Sequence, residues 1–142
     1  MIKKFIVTLI IAIIGNNLLY TQEIFLLQPL NVIQTAHPDG EIITYDTLNT
    51  TYRVYSFFEN KNMLNICFIN EDNECDYQYI IINKKSINNN VIRKLNKKYS
   101  IVKKDSLWCS FYPYSQLTIE HEYDKENDRY IFKCYFIKTR ND

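Results

Sequence analysis

Glycine is nearly absent from this 142-residue chain, which has two, Gly15 and Gly40, alongside three prolines. Glycine-rich phosphate loops and the G-x-S-x-G nucleophile elbow are therefore excluded, and hairpin turns that need glycine are scarce. Histidine is almost as rare: only His37 and His121 are available as a base near neutral pH. The four cysteines, Cys67, Cys75, Cys109 and Cys134, are separated by 8, 34 and 25 residues. Zinc ligands come in pairs about two to four residues apart, so that spacing gives no metal site. No cofactor signature is present.

No apolar run reaches the roughly 20 residues that a membrane helix requires. The longest, Phe5 to Ile14, is interrupted only by Thr8; Lys3 and Lys4 precede it, and Gly15, Asn16 and Asn17 follow it. A short apolar stretch behind a basic start is the profile of a cleavable signal peptide. The opening, with "YTQE" at its end, resembles bacterial export signals. The expected cut lies near Tyr20 to Gln22, although Leu19 stands where a small residue is favoured. This divides the chain into a leader over 1–21 and one domain over 22–142. No cysteine follows the apolar run, so a lipid anchor has no attachment point. The expected location is periplasmic or extracellular, with no transmembrane span after processing.

Excess charge is missing too. The net charge is +1, and it becomes −1 once Lys3 and Lys4 leave, since 16 acidic residues then face 15 basic ones. No overall field points to nucleic acid. The charges are nonetheless sorted along the chain, with eight lysines or arginines and no carboxylate from Lys84 to Lys104.

What the chain has in quantity is β-forming aromatic and branched residues, including 12 tyrosines and 8 phenylalanines. The runs "EIITY", "TTYRVYSFF", "MLNICFI" and "DYQYIII" read as strands of a meander, separated by turns of asparagine, aspartate and lysine. "AHPDGE" places Pro38 and Gly40 for a type I turn. Ile87, Val91, Leu95 and Tyr99 recur every four residues, with Ile92 beside them and Ser86 placed to cap. That period predicts one amphipathic helix, with Arg93, Lys94, Lys97 and Lys98 on its outer side. Strands are then expected over 107–112, 116–124 and 129–139. In the last hairpin Asp124 should face Arg129, Glu120 Lys133 and Leu117 Phe136, with Leu117, Ile119, His121 and Tyr123 on the apolar side. The predicted fold is α+β: a mostly antiparallel meander sheet of about seven strands with one helix packed on a face.

In an exported chain the four cysteines are read first as disulfides, and pairing nearest neighbours gives Cys67 with Cys75 and Cys109 with Cys134. The second bond conflicts with sequential strand order. One strand would intervene, placing the cysteines about 9.5 Å apart where a disulfide reaches about 7 Å.

Candidate contacts are the basic residues Arg93, Lys94, Lys97 and Lys98, and the aromatics Trp108 and Tyr112, read as facing outward, with Tyr114 in the turn. Basic groups suit a polyanionic glycan, an envelope surface such as lipopolysaccharide, or an acidic protein; outward rings stack on sugars or a partner. Alternation sends Glu120 and Glu122 away from His121, so the three do not converge on an ion. Glu120 and Glu122 form a conceivable carboxylate pair, and His37 could approach Asp39. Asn49 in "NTT" is a glycosylation acceptor only in a eukaryotic source. The first expectation is a small non-enzymatic binding protein. The alternatives are a hydrolase using carboxylates or His121, and a structural or inhibitor-like envelope protein.

Overall fold

The computed structural model describes residues 24–49 and 51–139, so the expected leader lies outside the described residues. The last hairpin has the register its cross-strand pairs dictate. Strand β7 (Ser115–Asp124) meets β8 (Arg129–Lys138) with Asp124 opposite Arg129, Glu120 opposite Lys133 and Leu117 opposite Phe136. The first four strands form the expected meander: β1 (Glu41–Asp46), β2 (Thr51–Asn60), β3 (Met63–Ile69) and β4 (Cys75–Ile82). Two more, β5 (Ser100–Lys103) and β6 (Leu107–Phe111), complete an antiparallel sheet in the order β1-β2-β3-β4-β8-β7-β6-β5. Eight strands thus stand where about seven were expected, because the four-residue β5 is too short to stand out from the helix before it.

Two helices are described, α1 (Leu30–Ala36) and α2 (Lys85–Lys98). The second connects β4 to β5 across three intervening strands. At 14 residues it is about 21 Å long, against roughly 19 Å for four strand spacings. The length of the basic segment therefore matches the width of the half-sheet it crosses. Its N-cap is Lys84, without a side-chain cap, and Ser86 lies inside the helix, not at its start. Helix α1 was not expected; it is only seven residues long, and its buried residues are Leu30 and Ile33.

Both helices pack on the same face of the sheet. The core joins Leu30 and Ile33 of α1, Val91 and Leu95 of α2, and alternate strand residues including Phe57, Cys67, Ile80, Trp108, Ile119, Phe132 and Cys134. Burial alternates cleanly along β3, as it does when one face is covered and the other is not. On the covered face Gln78 and Asn65 are fully buried. Gln78 Nε2 donates to Asn65 Oδ1 at 3.0 Å, and Gln78 Oε1 accepts the Phe25 backbone N–H at 2.7 Å. This polar pair fixes the incoming segment to the sheet.

Turns are built largely by the residues the glycine shortage leaves. Asn73, Asp105 and Asp128 adopt positive φ in the β3–β4, β5–β6 and β7–β8 connections; their short polar side chains tolerate the left-handed region. The Gly40 N–H bonds the His37 carbonyl at 3.4 Å, closing the expected turn. A Cβ on Gly40 would lie 2.3 Å from the Tyr55 ring, so glycine is required there by close approach.

The four cysteines are free, and the disulfide expectation is overturned by sheet geometry. Cys109 stands opposite Thr118 and Cys134 opposite Ile119, on strands that do not touch and on opposite faces. Cys67 and Cys75 are diagonal neighbours across a register shift, since Cys75 pairs with Ile69, and their thiols meet without a bond between the sulfurs. The hydrogen bond to the Cys75 thiol, with burial, pushes the Cys67 thiol up; burial pushes Cys134 up to about 12. Both are protonated, inert core residues at neutral pH.

Candidate functional site

The structure separates the candidates that the sequence had grouped. Arg93, Lys94, Lys97 and Lys98 are exposed on the outer side of α2, and among the described residues none of them forms a salt bridge. Trp108 lies beneath that helix, fully buried, and its indole N–H donates to Asn96 Oδ1 at 2.7 Å. The outward reading of Trp108 is thus corrected: its strand presents this residue to the helix layer, in register with Ile119 and Cys134. Tyr112 and Tyr114 are exposed beyond the end of β6. Tyr112 packs edge-on against Phe136, and the Lys98 ammonium lies 5.4 Å from the Tyr99 ring.

His121 is enclosed by rings, with centroids at 4.5 Å from Phe132, 6.0 Å from Tyr130 and 6.5 Å from Trp108. Its Nδ1 lies 3.0 Å from the Asp105 carbonyl oxygen and its Nε2 2.8 Å from the Asn88 side-chain amide. Burial holds its pKa below the ordinary value, against the opposing pull of the Asp105 carbonyl. Both facing atoms, the Asp105 carbonyl oxygen and Asn88 Oδ1, are acceptors, so the neutral ring donates to one of them from the nitrogen that carries its proton. Both nitrogens face protein groups at close range, so neither is free for chemistry.

The carboxylates also find structural partners. Glu122 bridges Lys133 at 3.2 Å, diagonally, where Glu120 had been the expected partner, and Asp124 bridges Arg129 at 2.8 Å. Glu120 hydrogen-bonds Tyr135. His37 does not turn to Asp39; its ring stacks on Phe57 at 3.9 Å. Among the described residues no three His, Cys, Asp or Glu side chains converge as a metal site, and no helix is long and apolar enough to cross a membrane.

The feature that sequence reasoning missed lies on the open face. Phe68, Tyr77, Tyr79 and Tyr135 stand side by side on β3, β4 and β8. Tyr77 stacks on Tyr135 at 5.2 Å and 8°, and Phe68 meets Tyr79 edge-on at 5.3 Å. With the stacked pair Tyr45 and Tyr52, and with Leu27, Asp76 and Phe136, these rings line a groove of about 610 Å³. Burial raises the Asp76 carboxyl above its ordinary value and, with the Tyr79 hydroxyl, raises Tyr77. Among the described residues no lysine or arginine lines the groove itself, and the Lys133 ammonium stands 5.9 Å from the Tyr79 ring.

Leu27 reaches the groove in a left-handed conformation, φ 66°, which costs a leucine roughly 1 to 2 kcal/mol. Its backbone N–H bonds the Cys75 carbonyl at 2.7 Å, and the Cys75 N–H returns to the Gln28 carbonyl at 3.0 Å. The side chain remains 56% exposed, so core burial does not account for the strain. The available signal was the alternation "YQY", which puts Tyr77 and Tyr79 on one face; the strand order that brings Tyr135 beside them was not readable. No family model, curated protein or solved structure matches the chain.

Proposed function

We propose that the chain is an exported, non-enzymatic binding protein that receives a segment of neutral glycan in the tyrosine-lined groove of its open face. The observation that carries this reading is the convergence of Phe68, Tyr77, Tyr79 and Tyr135 with Asp76 on one concave surface. Sugar rings present C–H faces that stack on aromatic rings, and their hydroxyls pair with tyrosine hydroxyls and a carboxylate. The one cation described beside the lining rings, Lys133, stands 5.9 Å from the Tyr79 ring and is already bridged to Glu122, which argues against an anionic ligand at this place.

The test is a calorimetric titration of the protein with short neutral oligosaccharides of glucose, N-acetylglucosamine and mannose, repeated with Tyr77→Ser and Tyr135→Ser. Saturable binding by at least one series, weakened tenfold or more by either substitution, is expected. No binding, or binding that both substitutions leave unchanged, would overturn the reading. Export is tested separately, by the N-terminal mass of the natural protein.

A second reading, contact with an anionic glycan or envelope surface, is favoured by the unbridged row Arg93, Lys94, Lys97 and Lys98 on α2. It predicts binding that salt abolishes and that Tyr77→Ser does not affect.

A further inference from the structure

A single eight-stranded sheet ends in two edge strands, and both are open here. All six residues of β1 and all four of β5 are exposed. Among the described residues nothing pairs with the outer side of either. Each therefore presents a row of backbone N–H and C=O groups that can accept another strand. Both edges also carry apolar side chains in the open, with Ile42 48%, Ile43 55%, Ile101 51% and Val102 57% exposed. Neither contains a proline. Within β1 there is no irregularity of register, while β5 has one between Ile101 and Lys103.

The charges on the two edges are opposite. Acidic residues mark both ends of β1, with Asp39 before it, Glu41 at its start and Asp46 at its close. Basic residues close β5, with Lys103 its last residue and Lys104 just after it, and Lys97 and Lys98 end the helix that leads into it. Three ways of joining two copies edge to edge are possible, and these charges rank them. Pairing β1 with β1 about a two-fold axis sets Glu41 against the other copy's Asp46. Pairing β5 with β5 about a two-fold axis carries Lys103 and Lys104 of each copy toward the other's α2 end, where Lys97 and Lys98 stand. Pairing β1 of one copy with β5 of the next sets acid against base whichever way the strands run. Like charges at opposed positions destabilise strand pairs and opposite charges favour them. Edge lysines commonly serve to prevent sheet-to-sheet association, and here they block the symmetric pairings while leaving the asymmetric one.

We propose that a second copy of this chain is the partner of these edges, with β1 of one molecule pairing with β5 of the next. Because the contact is heterologous, every added copy offers a fresh free edge, and the product is an open chain of continuous sheet, not a closed dimer. The pairing is short, limited by the four residues of β5, so association is weak and increases with concentration. The groove reaches β1 through the Tyr45 ring on the open face, whereas the pairing uses that strand's outer backbone edge, so oligosaccharide binding and sedimentation of the natural protein test the two readings separately.

The experiment is sedimentation of protein purified from cells expressing the full chain, across concentrations up to about 1 mM, at low and high salt. Three forms are compared: the natural sequence, Glu41→Lys with Asp46→Lys, and Lys103→Glu with Lys104→Glu, each checked for an unchanged thermal midpoint. The natural protein is expected to form a ladder of species beyond the dimer that high salt shifts toward monomer by about tenfold in dissociation constant. Each charge-reversed form alone is expected to be monomeric, and an equal mixture of the two to regain the ladder. A natural protein that stays monomeric throughout would overturn the proposal. So would association that either double substitution leaves intact: survival of the Lys103 and Lys104 changes would mean pairing through β1 alone, survival of the Glu41 and Asp46 changes pairing through β5 alone, and survival of both an association driven from elsewhere.

Discussion

The two faces of the sheet are drawn from the same strands by simple alternation, yet they treat polar groups in opposite ways. On the covered face His121, Trp108, Gln78 and Asn65 are each held by a named partner among packed rings and aliphatic side chains. On the open face, apart from the buried Thr118 with its unpaired hydroxyl, tyrosines and carboxylates stay at least partly in water, some of them beside one another or bridged to Lys133. A polar group removed from water must find a partner or cost about 1 to 3 kcal/mol, whereas a half-exposed one has water to fall back on. The covered face is therefore intolerant of substitution, and the open face is free to serve a ligand.

The sharpest break in that comparison is Trp108→Ala. The indole fills the space between α2 and β6 and is fully buried, so its loss should cost about 3 to 5 kcal/mol and leave Asn96 without its donor. A urea unfolding curve measures this directly; a loss under 1 kcal/mol would mean that the helix does not lie on this strand. Gln78→Leu is expected to come next, at about 2 to 3 kcal/mol. It strands the Phe25 backbone N–H and Asn65 Oδ1 in the core, while Asn65 Nδ2 keeps its bond to Glu59. Faster hydrogen exchange at Phe25 than at Ile119 in this variant would locate the damage at the incoming segment.

How far the sequence carries is set by the same division. Alternation and cross-strand charge are local signals, so the β7–β8 register and the apolar side of that hairpin could be read residue by residue. The period of four from Ile87 to Tyr99 likewise marked α2. Trp108 was misplaced because β6 is only five residues long, and "LWCSF" has large side chains on both sides, leaving no alternation to orient it. The groove was hidden for a different reason. It depends on β8 joining β4 at the centre of the sheet, and which strands become neighbours across a helical crossover is not encoded in any short window. The cysteines misled because compartment suggested bonds that the fold leaves unmade.

His121 sharpens the comparison through pH. Burial keeps its folded-state pKa below the ordinary 6.5, so the unfolded chain binds a proton that the folded chain refuses. Its contribution is complete above pH ~6.5 and declines as pH falls from there toward the folded-state value. Urea midpoints taken between pH 8 and pH 5 should therefore fall on the acid side, and His121→Gln should remove that part of the slope. A wild-type slope unchanged by the substitution would place the titrating group elsewhere.

The smallest effect expected on stability tests the open face at its one strained point. Leu27→Gly relieves a left-handed leucine at φ 66° and removes a side chain that is largely in solvent, while adding the entropy cost of glycine in the unfolded chain. The balance should leave stability unchanged or raised by up to about 1 kcal/mol. Oligosaccharide binding in the groove should weaken in the same variant, because the apolar wall at one end is gone. A residue whose removal improves the fold and harms the ligand contact is held in place by function. If Leu27→Gly instead destabilises by 2 kcal/mol or more, the leucine belongs to the packing of the covered face, and the line drawn between the two faces runs in the wrong place.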